Sequence, residues 1–274
     1  MCNIKVNVDV NKYISPNLIF LDNPKTWPIE STNYLRDNKG IIKKYFAEDK
    51  RIEQGKANKN SKNYHKFVGM SNKYQDSFDE IKNNFMELLF DLKYKFVIYH
   101  ATRLMDYEVD NIRRNGLKLS SKDFIKQKID DLYQNKIISK NEYDIINEKN
   151  LLKSKEQIIK RENQIWAAIG SQDFRYIEGD NSVDPSGFYN LLYNYGGEII
   201  YKGIINNKEL LNKLRSNSKP YFIIILAESS MICDNIYTLG EKIIKFYFKK
   251  TDRINNDILC KDESEISILD IVSV

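Results

Sequence analysis

Histidine is nearly missing from this chain: there are two in 274 residues, His65 and His100. Three cysteines, Cys2, Cys233 and Cys260, stand far apart without paired spacing. That leaves too little for a zinc site and no disulfide framework, and a reducing cytoplasm is the expected setting. No Gly-x-Ser-x-Gly elbow, His-Glu-x-x-His pair or Walker loop occurs, so serine-hydrolase, zinc-protease and nucleoside-triphosphatase chemistries are disfavoured. Carboxylates are plentiful, yet nothing orders two of them into a glycosidase pair. No apolar run approaches the ~20 residues needed to cross a bilayer; the longest, residues 221–227, is strand-sized. The opening residues Met1 to Lys5 do not lead into an apolar stretch, so no signal peptide is expected.

What is present suits a globular chain. Hydrophobic residues make up 42%, enough for one large domain or a core with an appended lobe. A net charge of +5 mildly favours acidic partners, well short of a dedicated nucleic-acid binder. Pro16, Pro24, Pro28 and the polar tract 55–63 mark residues 1–75 as an irregular segment of short helices and loops. Residues 76–274 are expected to form the main domain. Within it, Phe78, Ile81, Phe85, Leu88, Leu89 and Leu92 recur at helical spacing over 76–92. A strand over 95–100 follows, then a helix capped by Asp106, carrying Val109 and Ile112 on one face and stopping at Gly116. The charge-rich stretch 120–161 reads as a helical insertion, a solvated face or lid. Strands are expected at 164–169, 198–201, 221–227 and 243–248, with a short helix over 206–214. Irregular alternation without repeated strand-helix units argues for α+β over a doubly wound fold.

Three stretches could carry chemistry together: Tyr99-His100-Ala101-Thr102-Arg103, Ile165-Trp166-Ala167-Ala168 and Tyr195-Gly196-Gly197-Glu198. Their order resembles the ADP-ribosyltransferase fold, in branches whose first core strand ends in His, a small residue and Thr. It also resembles an uncharacterised bacterial family with a His-x-Thr-Arg start and a Gly-Gly-Glu element. The resemblance spans roughly residues 96–201 and omits the first ninety. It implies an α+β, mixed or split sheet and an enzyme that cleaves the nicotinamide–ribose bond of NAD, its substrate. On that resemblance Glu198 is the carboxylate that stabilises the cation-like ribosyl centre, with Glu228 as the alternative. His100 would hydrogen-bond a ribose hydroxyl, Ala101 would clamp the nicotinamide amide beside Thr102, and Arg103 would pair with the pyrophosphate. Trp166 is a candidate stacking aromatic, in competition with Phe174, Tyr176, Phe188, Tyr193 and Tyr195. Ala101 stands where better-known branches have glycine, which crowds the site slightly.

The expected acceptor is a macromolecule, with RNA or DNA favoured over protein because Lys and Tyr side chains suit phosphates and bases. A toxin or phage-defence effector with a neutralising antitoxin protein fits a free-standing transferase. The alternatives are an NAD hydrolase, an RNA 2′-phosphotransferase-like enzyme, or a non-catalytic interaction module on a degenerate scaffold. His65, in a polar setting, carries no expected role.

Overall fold

A computed structural model describes residues 10–57, 59–60, 62–150, 163–169, 192, 194–232, 236–251, 254, 257–260 and 266–273. The fold is α+β, built on a mixed open sheet. Its centre is β2 (Lys95–Leu104), whose alternate side chains are buried on both faces. The antiparallel order is β5 (Asp257–Cys260), β3 (Ile165–Ala168), β2, β4 (Lys219–Ala227) and β6 (Ser267–Ser273). A two-residue β1 (Leu18–Ile19) runs parallel to the start of β2.

One sheet face, formed by Phe96, Ile98, Ile165, Ala167, Ile223 and Ile225, carries the main core. It is covered by α1 (Ile29–Asp37), α2 (Lys39–Ala57), α4 (Gln75–Leu89) and α11 (Ile236–Tyr247), with α3 (Tyr64–Val68) packed against α2. The Tyr45 ring stacks on Phe78 at 3.8 Å, joining α2 to α4. Gly240 lets α11 approach α4: a Cβ there would meet Lys82 and Met86 side chains at 2.9 to 3.1 Å. The opposite face, with Val97, Tyr99, Ala101 and Ile224, packs against Phe20 and Leu192.

A second core lies beyond the end of β2. It gathers α5 (Asp106–Asn115), α6 (Lys122–Gln134), α7 (Lys140–Lys149), α8 (Gly197–Tyr201) and α9 (Lys208–Ser216) around Ile129, Leu132, Ile146, Tyr195, Ile200 and Leu214. A short α10 (Ser229–Ile232) follows β4.

Several expectations need correcting. The described part of 1–75 is not an irregular segment of short helices and loops: α2 has 19 residues, and Leu35, Ile42, Tyr45 and Phe46 belong to the main core. Residues 243–247 are helical, because Leu239 and, one turn on, Ile243 and Ile244 share one buried face. Residues 198–201 are helical as well, launched by Gly196 and Gly197 at φ 78° and 57°. Met105, not Asp106, is the cap of α5; Asp106 is the first helical residue and pairs with Lys219 at 2.9 Å. Leu88 and Leu92 are exposed, since the buried stripe of α4 runs through Phe78, Ile81, Phe85 and Leu89. Helices α6 and α7 are no solvated lid, for Ile125, Ile129, Leu132 and Ile146 are buried; residues 151–162 lie outside the described set. Among the described residues no helix is long and apolar enough to cross a membrane.

Candidate functional site

The site is built where β2 and β3 part. Among the described residues their ladder has one register pair, Tyr99↔Ala168. One residue further along β2, half-buried His100 brings Nδ1 to 2.7 Å from the Trp166 carbonyl oxygen. A carbonyl only accepts, so Nδ1 carries the proton and donates. In the neutral ring Nε2 is then left with its lone pair as an acceptor. Burial pushes the His100 pKa below its ordinary value, opposed by the Trp166 bond and reinforced by the positive charge of Lys128. His100 is therefore neutral at pH 7, held in one tautomer by β3.

Lys128 ties this seam to the second core. It lies in the apolar stripe of α6 between Ile125 and Ile129 and forms a buried ion pair with Glu108. Its ammonium sits 4.6 Å from the centre of the Tyr195 ring. Glu108 accepts three hydrogen bonds: Oε1 from Lys128 and from Tyr195 Oη at 2.9 Å, and Oε2 from the Met105 N–H at 2.7 Å. Burial, reinforced by the Glu108 charge, pushes Tyr107 and Tyr195 upward, and Asp131 is raised by burial and by Glu108 and Asp130. Neither tyrosine ionises at neutral pH. The Gly196-Gly197 turn follows Tyr195 directly, and a Cβ on Gly196 would strike the Ile200 side chain at 2.6 Å.

Of the residues singled out by sequence, the structure joins His100 to the Trp166 main chain and sets Tyr195 in the network that reaches Lys128. His100 and Trp166 meet through a carbonyl, not through stacked side chains. Strand alternation turns the indole, 37% exposed, to the face of Ala168, while His100 continues the face of Phe96 and Ile98. Ala101 is fully buried opposite Phe222, and Thr102 pairs with Tyr221. Arg103 is tightly engaged: Nε donates to Ser218 Oγ, Nη1 to the Leu192 carbonyl, and Nη2 to the Arg215 and Ser218 carbonyls, all at 2.7 to 3.1 Å. It stitches the end of β2 to the α9–β4 connection.

Glu228 stands elsewhere. It follows Ala227, the partner of Phe96, and pairs with Lys95 at 3.0 Å. Five strand positions, roughly 16 Å, separate that end of β2 from His100. The backbone of Glu198 is in α8, one residue past Gly197, and its side chain lies outside the described set. Phe174, Tyr176, Phe188 and Tyr193 also lie outside the described residues. At the start of β3, the buried Gln164 Oε1 has no hydrogen-bond partner among the described residues, a polar atom next to the seam that a donor would satisfy.

Sequence reasoning missed Glu108 and Lys128. The signal was present in α6, where a lysine interrupts the Ile125-Ile129-Leu132 stripe and so must find a counter-charge. Among the described residues no group of three or more His, Cys, Asp or Glu could hold a metal ion. No family model, curated protein or solved structure matches the chain.

Proposed function

We propose that this chain is an NAD-consuming, ADP-ribosyltransferase-like enzyme that modifies a macromolecule, with nucleic acid favoured over protein as acceptor. The observation that carries the reading is His100, neutral and fixed in tautomer at the parting of two central strands. NAD would supply a nicotinamide leaving group and an electrophilic ribose carbon. The chain's own part begins with His100 Nε2, which suits it to accept a hydrogen bond from a ribose hydroxyl. His100 and Ala101 turn their main-chain groups to opposite sides of β2, so one of the two faces the β3 side just past the last pair, where an amide could be clamped. Glu198, placed after two glycines, is the carboxylate assigned to stabilise positive charge at the ribose.

Arg103 fits the expected pyrophosphate contact less well, because its four bonds to Leu192, Arg215 and Ser218 would have to be given up. The phosphate contact is therefore not assigned to it. A toxin or phage-defence role with a neutralising protein follows only from analogy with free-standing transferases.

The test uses NAD labelled on its adenylate half, incubated with the protein and a cell extract, then split between nuclease and protease. Label removed by nuclease alone supports a nucleic-acid acceptor, and label removed by protease alone a protein acceptor. Nicotinamide release without labelled macromolecule points to plain NAD hydrolysis. Intact NAD in every sample contradicts the enzyme reading, and undiminished turnover by folded His100→Ala and Glu198→Gln proteins contradicts the site.

A further inference from the structure

Residues 39–73 hold ten lysines and arginines against three carboxylates, more positive charge than the net +5 of the whole chain. At 3.6 residues per turn, Lys39, Lys43, Lys44, Lys50 and Arg51 fall on a single stripe of α2, and all five are exposed. The remaining positions of that stripe are Gly40, Ala47, Gln54 and Ala57, also exposed, which keep it flat and free of negative charge. Glu48 and Glu53 flank it, one beyond each edge, and are paired with Arg51 at 2.8 Å and with Lys56 at 3.3 Å. Lys39, Lys43, Lys44 and Lys50 have no carboxylate partner among the described residues. Solvated helix faces elsewhere in the chain mix their charges: Lys126 pairs with Asp130 on α6, and Lys140 with Asp144 on α7. Self-repulsion among the α2 lysines disfavours such a stripe unless a polyanion neutralises it.

We infer that the solvent face of α2 is a docking surface for duplex DNA, held through its phosphate backbone. The choice of polyanion follows from what the stripe lacks. Single strands are gripped by rows of aromatic platforms; no ring stands among the nine positions, and the Phe67 ring of α3, centred 5.5 Å from the Arg51 guanidinium, is a lone neighbour rather than a row. An anionic membrane calls for a band of bulky apolar residues beside the cations; the nine positions carry none, and Phe67 and the exposed Val68 of α3 do not make a band. The α2 cylinder, about 28 Å long, matches a B-form major groove, whereas the deep, narrow groove of an RNA duplex excludes a helix. The contacts are to phosphates, so binding is sequence-independent and steeply salt-dependent. The inference does not rest on the NAD reading, and the two fail separately: DNA bound through α2 without NAD turnover, or the reverse, is readable in parallel assays.

Fluorescence anisotropy with a short B-form duplex, the matching RNA duplex, a single strand and phosphatidylserine vesicles tests it. The Lys39→Gln/Lys43→Gln/Lys50→Gln protein is compared with a Lys122→Gln/Lys126→Gln/Lys140→Gln control that loses the same charge from α6 and α7. The expected result is DNA binding weakened roughly tenfold or more in the α2 variant, with a log–log salt slope shallower by about 3, and little change in the control. Equal loss in both variants, wild-type preference for RNA duplex, single strand or vesicles, or no DNA binding at low salt would each overturn the assignment.

Discussion

Along its β4 edge, β2 is paired at nine consecutive positions, from Phe96↔Ala227 to Leu104↔Lys219, whereas among the described residues its other edge meets β3 only at Tyr99↔Ala168. The first edge is finished by the Arg103 stitch, and the second by an imidazole. A continuous ladder satisfies main-chain groups internally and holds the strand rigid. An interrupted one leaves room for side-chain chemistry while the other edge keeps the geometry. The difference explains why His100 and Arg103, three residues apart in one motif, serve different ends: Arg103 closes the scaffold, and His100 stands at the opening.

Several substitutions would sharpen or break that contrast. The largest stability effect is expected behind the seam, where Lys128→Met strands the buried Glu108 carboxylate and costs about 3 to 5 kcal/mol in chemical denaturation. On the ladder edge, Ile224→Ala opens a cavity at a fully buried position and costs about 2 to 4 kcal/mol, with NAD turnover per folded molecule kept. His100→Ala removes one side-chain bond and costs about 1 kcal/mol in stability, while lowering NAD turnover by at least about a hundredfold. Comparable stability losses for His100→Ala and Ile224→Ala would erase the contrast. The smallest effect is in pH dependence. Since His100 binds its proton more weakly folded than unfolded, its share of stability is full above the unfolded pKa of about 6.5 and is lost as pH falls below it. Wild type should therefore lose more stability than His100→Ala between neutral pH and pH 5, read from urea midpoints.

How much of this was legible in the sequence depended on how well each element advertises its period. The strands expected at 95–100 and 221–227 and the helix expected over 206–214 were readable to within a few residues, as Lys95–Leu104, Lys219–Ala227 and Lys208–Ser216, because composition and turn residues agreed there. Residues 243–248 misled, since Ile, Phe and Tyr favour strands and six residues are too few to separate a period of 2 from 3.6. The helix α2 was hidden for the opposite reason: its buried face is only Ile42, Tyr45, Phe46 and Ile52 within a lysine-rich stretch. Short β1, β5 and β6 gain their pairing from neighbours distant in sequence, which no local pattern encodes. At the candidate site, His100 was singled out by its motif, but the strand expected to end there runs on to Leu104 and carries His100 in its interior, and its partner was not legible. A main-chain carbonyl has no sequence signature, and the distance between Glu228 and His100 depends on the β2–β4 register.

Nitrogen NMR of the His100 imidazole, followed through pH and then with NAD added, tests the central claim most directly. The account predicts a ring protonated on Nδ1, titrating below pH 6.5, whose Nε2 resonance moves when NAD binds while the tautomer stays the same. An Nε2-protonated ring, a titration at or above 6.5, or an Nε2 signal that NAD leaves unmoved would contradict it.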